Sequence, residues 1–250
     1  FNEIIICPEY FRDNQFDLKF RQLSSSRDQG MAKHFTFHRE IEQLKKRFLA
    51  LGALVEDRVR KACTIIENRD LILATEIINS DWEVDEMEIE IEEECLKILA
   101  LHQPVARDLR LLVAIIKINN ELERIADIAV NIAKRVQTIS KDSSLSFTID
   151  YTPMSTRVLS MLKMSLDALV SENPALARQV FIDDDEVDEL RNQVYRKVVK
   201  QMNSDPGHAA GLLNLYLLSR HLERIGDRAT NIAEEIIYLV EGEIVRGEMN

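Results

Sequence analysis

No glycine interrupts the 154 residues between Gly52 and Gly207. Backbone that must approach a phosphate closely, as in a Rossmann turn or a Walker loop, needs clustered glycines. Neither motif fits this stretch, and G-x-G-x-x-G occurs nowhere else in the chain. Glycine and proline are the residues that most weaken a helix interior, and only Pro104, Pro153, Pro174 and Pro206 punctuate the run. The pattern predicts an all-α fold of long helices.

Apolar residues make up 46% of the chain, enough for a packed core and too many for wholesale disorder. Asp and Glu number 43 against 32 Lys and Arg, a formal charge of −11. A nucleic-acid binder needs basic stripes for its phosphate contacts, so the balance favours cationic partners or metal ions instead. Cys7, Cys63 and Cys95 are too few and too scattered for a disulfide framework or a zinc C-x-x-C pair, and they point to a reducing compartment. No apolar run reaches the roughly 18 residues that span a bilayer, and with charges from Glu3 onward no secretory signal is expected in the first 30 residues.

Residues 1–30 differ from the rest. Phe1, Tyr10, Phe11, Phe16 and Phe20 fall there without a helical stripe, ahead of Ser24-Ser25-Ser26. Met31 then opens a start-like run, MAKHFTFHREIEQL, so residues 1–30 are expected to be a non-native or disordered extension; the alternative is a genuine arm that docks elsewhere. From His38 the apolar period is helical, with Ile41, Leu44, Phe48, Leu51, Val55, Val59 and Ala62 at steps of three and four. Asp70 can cap a second stretch, and Ser80 with Glu83 makes a capping-box pattern at a kink or restart. Val84, Met87, Ile91, Cys95 and Ile98 line the next face; after Pro104 a third helix carries Leu109, Leu112, Ile116, Leu122, Ile125 and Ile132. The polar segment from Ser140 to Thr152 is the natural linker.

The second half repeats the first. LERIADIAVNIA at 122–133 and LERIGDRATNIA at 222–233 agree at nine of twelve positions with an offset of 100, and DWEVDEM at 81–87 echoes DDEVDEL at 184–190 with an offset of 103. Two echoes in one order indicate an internal duplication. Helices are predicted at 38–68, 71–101 and 105–138, then at 153–172, 175–204 and 208–241. The expectation is two tandem antiparallel three-helix bundles, residues 31–145 and 146–250.

Each copy carries two carboxylate pairs four residues apart: Asp81/Asp85 with Glu123/Asp127, and Asp184/Asp188 with Glu223/Asp227. Like charges at that spacing repel by a few tenths of a kcal/mol, so four matched repetitions need a reason. A solvated acidic face is the plain one. At about 100° per residue, Leu122, Ile125, Ala129 and Ile132 define the core face of the third helix, with Glu123, Asp127 and Asn131 almost opposite. These acids are therefore expected on the outer surface, not as desolvated core acids. Asp81 and Asp85 flank the neighbouring stripe beside Glu88 and Glu92, so two helices could share a band of oxygen ligands suited to magnesium, manganese, calcium or iron.

Catalytic alternatives are poorly supported. None of the five histidines has a Glu three residues before it, as a di-iron site would need, and H-E-x-x-H and G-x-S-x-G are absent. No cysteine has an evident base partner. His221 reads as a surface or supporting group, Trp82 as packing between helices, and Lys45-Lys46-Arg47 and Arg107/Arg110 as helix-surface and capping charges.

The motifs E-L-E-R-I-A-D at 121–127, H-L-E-R-I-G-D at 221–227 and Q-P-x-A-x-D-L-R at 103–110 closely resemble the PhoU family over about residues 35–242. The resemblance implies a two-bundle helical fold and a non-enzymatic, cytoplasmic, membrane-peripheral protein that represses the phosphate-starvation response and modulates phosphate uptake. It implies contact with a sensor histidine kinase and with the ATPase of the phosphate ABC transporter; a homo-oligomer, as a dimer, is expected beside these partners. It also implies metal clusters on E/D-x-x-x-D motifs, here Asp81, Asp85, Glu123 and Asp127 and, in the second copy, Asp184, Asp188, Glu223 and Asp227. Asn131 and Asn231 follow as weaker candidates. The metal could be iron, magnesium, manganese, calcium or zinc. Ala126 departs from the family's usual glycine, which Gly226 keeps; residues 1–30 have no counterpart there, and the second copy lacks the Q-P-x-A-x-D-L-R entry. A metal-storage or metal-sensing protein without kinase contact is the alternative function, and a helical oxidoreductase with a surface metal a remote third.

Overall fold

The computed structural model describes the backbone of residues 14–141 and 146–242 and side chains from residue 36 onward. These residues fall into two units that divide between Gln43 and Leu44. Seven α-helices occur among them: α1 (Asn14–Asn68), α2 (Leu71–Asn79), α3 (Asp81–His102), α4 (Ala106–Ser140), α5 (Thr152–Ser171), α6 (Pro174–Ser204) and α7 (Ala209–Glu241), with a 3₁₀ turn at Pro206–His208. The described residues contain no strand. Helix α1 already includes residues 14–30, which the sequence left out of the fold. Residues 1–13, the linker positions 142–145 with the boundary expected there, and residues 243–250 lie outside the described residues.

Local chemistry sets the helix ends. Arg69 and Glu172 close α1 and α5 in left-handed backbone, at φ 54° and 48°. The next residues, Asp70 and Asn173, accept hydrogen bonds from the first free amides of α2 and α6: Asp70 from Ile72 and Leu73 at 2.9 and 3.1 Å, and Asn173 from Ala175 and Leu176 at 3.0 and 3.3 Å. One turn is thus built twice, 103 residues apart. The copies then diverge: α6 runs unbroken, whereas the corresponding helix of the first copy breaks at Ser80. The break comes where the capping-box pattern points, but the Ser80 side chain does not cap α3; its hydroxyl donates back to the Ile77 carbonyl at 3.3 Å. The Arg58 guanidinium bonds the Ser80 carbonyl instead.

The α1 stripe is buried as predicted, with Leu44, Leu51, Val55, Val59 and Ala62 at 0% exposure. In α4 the prediction needs correction, because Leu109 is exposed, Ile116 half-buried, and Ile115 and Ile118 hold the core instead. The cause is the position of α4. It packs against α2 and α3 on one side and against α7 on the other, so a single-stripe wheel misplaces its burial. Helices α5, α6 and α7 all pack on one another as the second bundle.

The α4–α7 pair joins the copies. Lys117 Nζ lies 3.0 and 2.9 Å from the Glu235 carboxylate, Arg228 and Asn231 donate to Glu121 at 3.2 Å, and Arg135 donates to Asn214 at 2.6 Å. Numbers rise along α4 as they fall along α7, so the helices are antiparallel. Gly52 of α1 adds a second junction: a Cβ there would stand 3.2 Å from Leu166 of α5, tighter than ordinary packing. No described helix is long and apolar enough to cross a membrane.

Candidate functional site

The carboxylate pairs meet in two groups, one on α3 and α4 and one on α6 and α7. In the first, Asp81 is pushed above the usual carboxylate range by burial and by Asp85 and Asp127, against the pull of Arg58 and Lys134. Glu123 is raised by burial and then by Asp127, Asp85 and Glu88. Asp81 and Glu123 are half-buried, whereas Asp85, Asp127 and Asn131 are exposed. The four candidate acids thus share one electrostatic neighbourhood.

In the second group, Asp184 is pushed up to about 7 by burial and by Asp227, Asp188, Asp185 and Glu223. Glu223 and Asp227 are raised as well, chiefly by burial. Glu223 is only 6% exposed, and its Oε2 has no hydrogen-bond partner. Arg220 bonds the other oxygen, with Arg191 at 3.4 Å from it. This corrects the expectation of an outer, undesolvated position for Glu123, Asp184, Glu223 and Asp227, whereas Asp85, Asp127, Asp188 and Asn131 are exposed as expected. Helix α7, like α4, is covered on more than one side, so a position opposite one core face meets the flank of the next helix. Asn231 is drawn to Glu121 at the junction of the copies.

Three features of these groups were not legible as site features in the sequence. Arg58, 3% exposed, reaches Asp81 at 3.3 Å. At the 103-residue offset its counterpart is Met161, fully buried and unable to compensate a carboxylate. Asp183, 5% exposed, stands at the counterpart of Ser80 and is held by Arg157 at 3.4 Å and Gln179 at 3.3 Å. The 103-residue echo pairs Arg58 with Met161 and Ser80 with Asp183, which marks where the copies differ without marking a site.

Gly226 matters by close approach. A Cβ there would meet Asp184 Oδ1 at 3.1 Å and Met161 Cε at 3.4 Å. Ala126, at the matching place in α4, is buried at 1% exposure, so the first copy accommodates the methyl group. His221 is more enclosed than a surface group: both ring nitrogens are buried without a partner, and burial with Arg135, Arg224 and Arg220 nearby pushes it down to about 4. Trp82 does not pack between helices; it is 60% exposed. Arg47 and Arg107 do act as surface charges, Arg47 toward Glu90 and Glu94 and Arg107 toward Glu172.

Among the described residues, no three His, Cys, Asp or Glu side chains converge as a ready-made metal cage. The donor chemistry nevertheless fits a hard cation: oxygen-only groups, mutually repelling, with one buried carboxylate oxygen left without a partner. The buried thiols of Cys63 and Cys95, pushed up to about 12 by burial, offer no thiolate ligand or nucleophile.

A family model described as the PhoU domain matches residues 48–136 and again 152–236. The chain is 38% identical over 211 residues to a phosphate-specific transport system accessory protein PhoU homolog of Pseudomonas aeruginosa, covering 84% of this chain and 87% of that protein. It is 34% identical over 210 residues to the Clostridium acetobutylicum homolog, covering 84% and 96%. The crystal structure of PhoU from P. aeruginosa superposes with a TM-score of 0.79 at 36% identity, over 83% of this chain and 100% of that one. A phosphate transport system regulatory protein PhoU from Streptococcus pneumoniae gives 0.77 at 30% identity, over 84% and 99%.

Proposed function

Because the chain belongs to the PhoU family, a non-enzymatic family of phosphate-transport accessory proteins, we propose that it is a metal-binding adaptor that represses the phosphate-starvation response and tunes high-affinity phosphate uptake. The observation that carries the reading is the double family match, which covers both copies and nearly all of the helical core. The proposed partners are a sensor histidine kinase and the ATPase of the phosphate ABC transporter, engaged in the cytoplasm by a homodimer. Such a protein acts by occupying a partner surface, so its output follows stoichiometry. Asp81, Asp85, Glu123 and Asp127, and Asp184, Asp188, Glu223 and Asp227, would hold the cations, which would offset the mutual repulsion of these carboxylates.

Deleting the gene tests the regulatory part. Phosphate-starvation genes should stay on in phosphate-rich medium, and normal repression would leave metal storage or sensing as the better account. Metal analysis tests the rest: Glu223→Gln with Asp227→Asn should lower cation content while the first group keeps its share. Unchanged content would reduce the acids to a solvated surface.

A further inference from the structure

Trp82, Ile89 and Leu96 of α3 are 60%, 54% and 53% exposed. They recur every seven residues and lie opposite the buried Val84, Ile91, Cys95 and Ile98, on the side of α3 turned away from the helices it packs against among the described residues. Asp85 and Glu92 run along one side of the stripe, Glu86 and Glu93 along the other, and all four are exposed. The whole helix carries nine carboxylates and one lysine in 22 residues. The duplication did not require the stripe, because the α6 counterparts at the 103-residue offset are Asp185, Asn192 and Val199.

We propose that this face of α3 is a docking surface for an amphipathic basic helix of a partner protein, with Trp82, Ile89 and Leu96 as the apolar seam and the flanking carboxylates as the charged rim. A heptad-spaced seam drifts by about 20° per repeat on a straight helix, and a partner helix follows it by a left-handed supercoil. The rim selects the occupant. A second copy of α3 would set nine carboxylates against nine, and an anionic membrane would be repelled, whereas lysine or arginine on both flanks of an apolar ridge satisfies seam and rim together. The inference gives the adaptor reading a contact face; its test uses a synthetic helix, so it can fail while the phosphate phenotype stands.

Trp82 is the only tryptophan in the chain and supplies the readout. The full chain is titrated with a synthetic helix bearing leucine at heptad positions and lysine on both flanks. Trp82 emission should shift to the blue, saturably, and the affinity should fall as salt rises. The double variant Ile89→Ser/Leu96→Ser should weaken binding by about tenfold or more, with helix content unchanged because both side chains are exposed. Glu86→Lys with Glu93→Lys should weaken the lysine-flanked helix and admit a glutamate-flanked one. The proposal is overturned by no shift, by equal shifts with both helices on the unmodified chain, by the same shift with lipid vesicles, or by a shift that grows with protein concentration alone.

Discussion

The two acidic groups share a motif and differ in what neutralises it. In the first copy, buried Arg58 reaches Asp81 and fills the break at Ser80. In the second, Met161 stands in its place, Gly226 lets Asp184 approach the α7 backbone, and Asp184 faces like charges from Asp227, Asp188, Asp185 and Glu223. Compensation there goes to Glu223, through Arg220 and Arg191. Duplication preserved the carboxylates while the cationic counterweight moved from one acid to another. The same four-residue spacing therefore yields two sites of different proton affinity.

The harshest break removes the scaffold under both groups. Ile125 and Ile225 are each 0% exposed, and an aspartate at either place buries an unpaired charge at a cost of several kcal/mol, about 3–5. Ile125→Asp and Ile225→Asp are expected to lose the native thermal transition alike, as followed by circular dichroism. A surviving transition in one of them would show that its bundle is dispensable to the other.

Arg58→Met makes the first copy resemble the second. It strips Asp81 of its cation and leaves the Ser80 carbonyl without that donor, so a loss of about 2–3 kcal/mol is expected in denaturant unfolding. Asp81 should then titrate higher by carboxylate NMR.

Asp184→Asn acts with the opposite sign. The folded state holds the Asp184 proton up to about 7, against 3.8 in the unfolded chain. The folded form thus binds more protons across that window, and stability falls as pH rises through it and levels off above it. In chelator at about pH 8, Asp184→Asn should stabilise by about 1–3 kcal/mol and flatten that slope. Asp81→Asn, which relieves repulsion but deprives Arg58 of its partner, should change stability by less than about 1 kcal/mol.

Gly226→Ala is the mildest probe. The gain in helix propensity, about 1 kcal/mol, works against the crowding of Asp184 and Met161, whose thioether end can move. Melting should barely change, while the Asp184 titration midpoint moves downward as the carboxylate is pushed away from its buried position. An unmoved midpoint would mean that close approach to α7 is not what perturbs it.

Helix order and most ends were legible in the sequence because their causes are local. The predicted starts at 71, 153 and 175 fall within a residue of Leu71, Thr152 and Pro174, where Asp70, Pro153 and Asn173 act on the next few amides. The acids that gather were legible too, through their duplicated spacing. Their burial was not, since a wheel assumes one covered face and both α4 and α7 have more. Arg58 looked like any charge on a helix until the fold placed it at Ser80, and Trp82 looked like core by residue type alone.

The antiparallel meeting of α4 and α7 bears on how such a tandem chain could arise. If a single-copy ancestor paired through this face as a symmetric dimer, every contact would occur twice. Applying the 100-residue offset to the present contacts turns Lys117–Glu235 into Leu217–Arg135, and Arg228–Glu121 into Ile128–His221, neither of them an ion pair. The antiparallel register keeps a two-fold form, but these two ion pairs have lost their mates. Fusion raises the effective concentration of one half near the other regardless of expression level, so each side can specialise without keeping a matching mate.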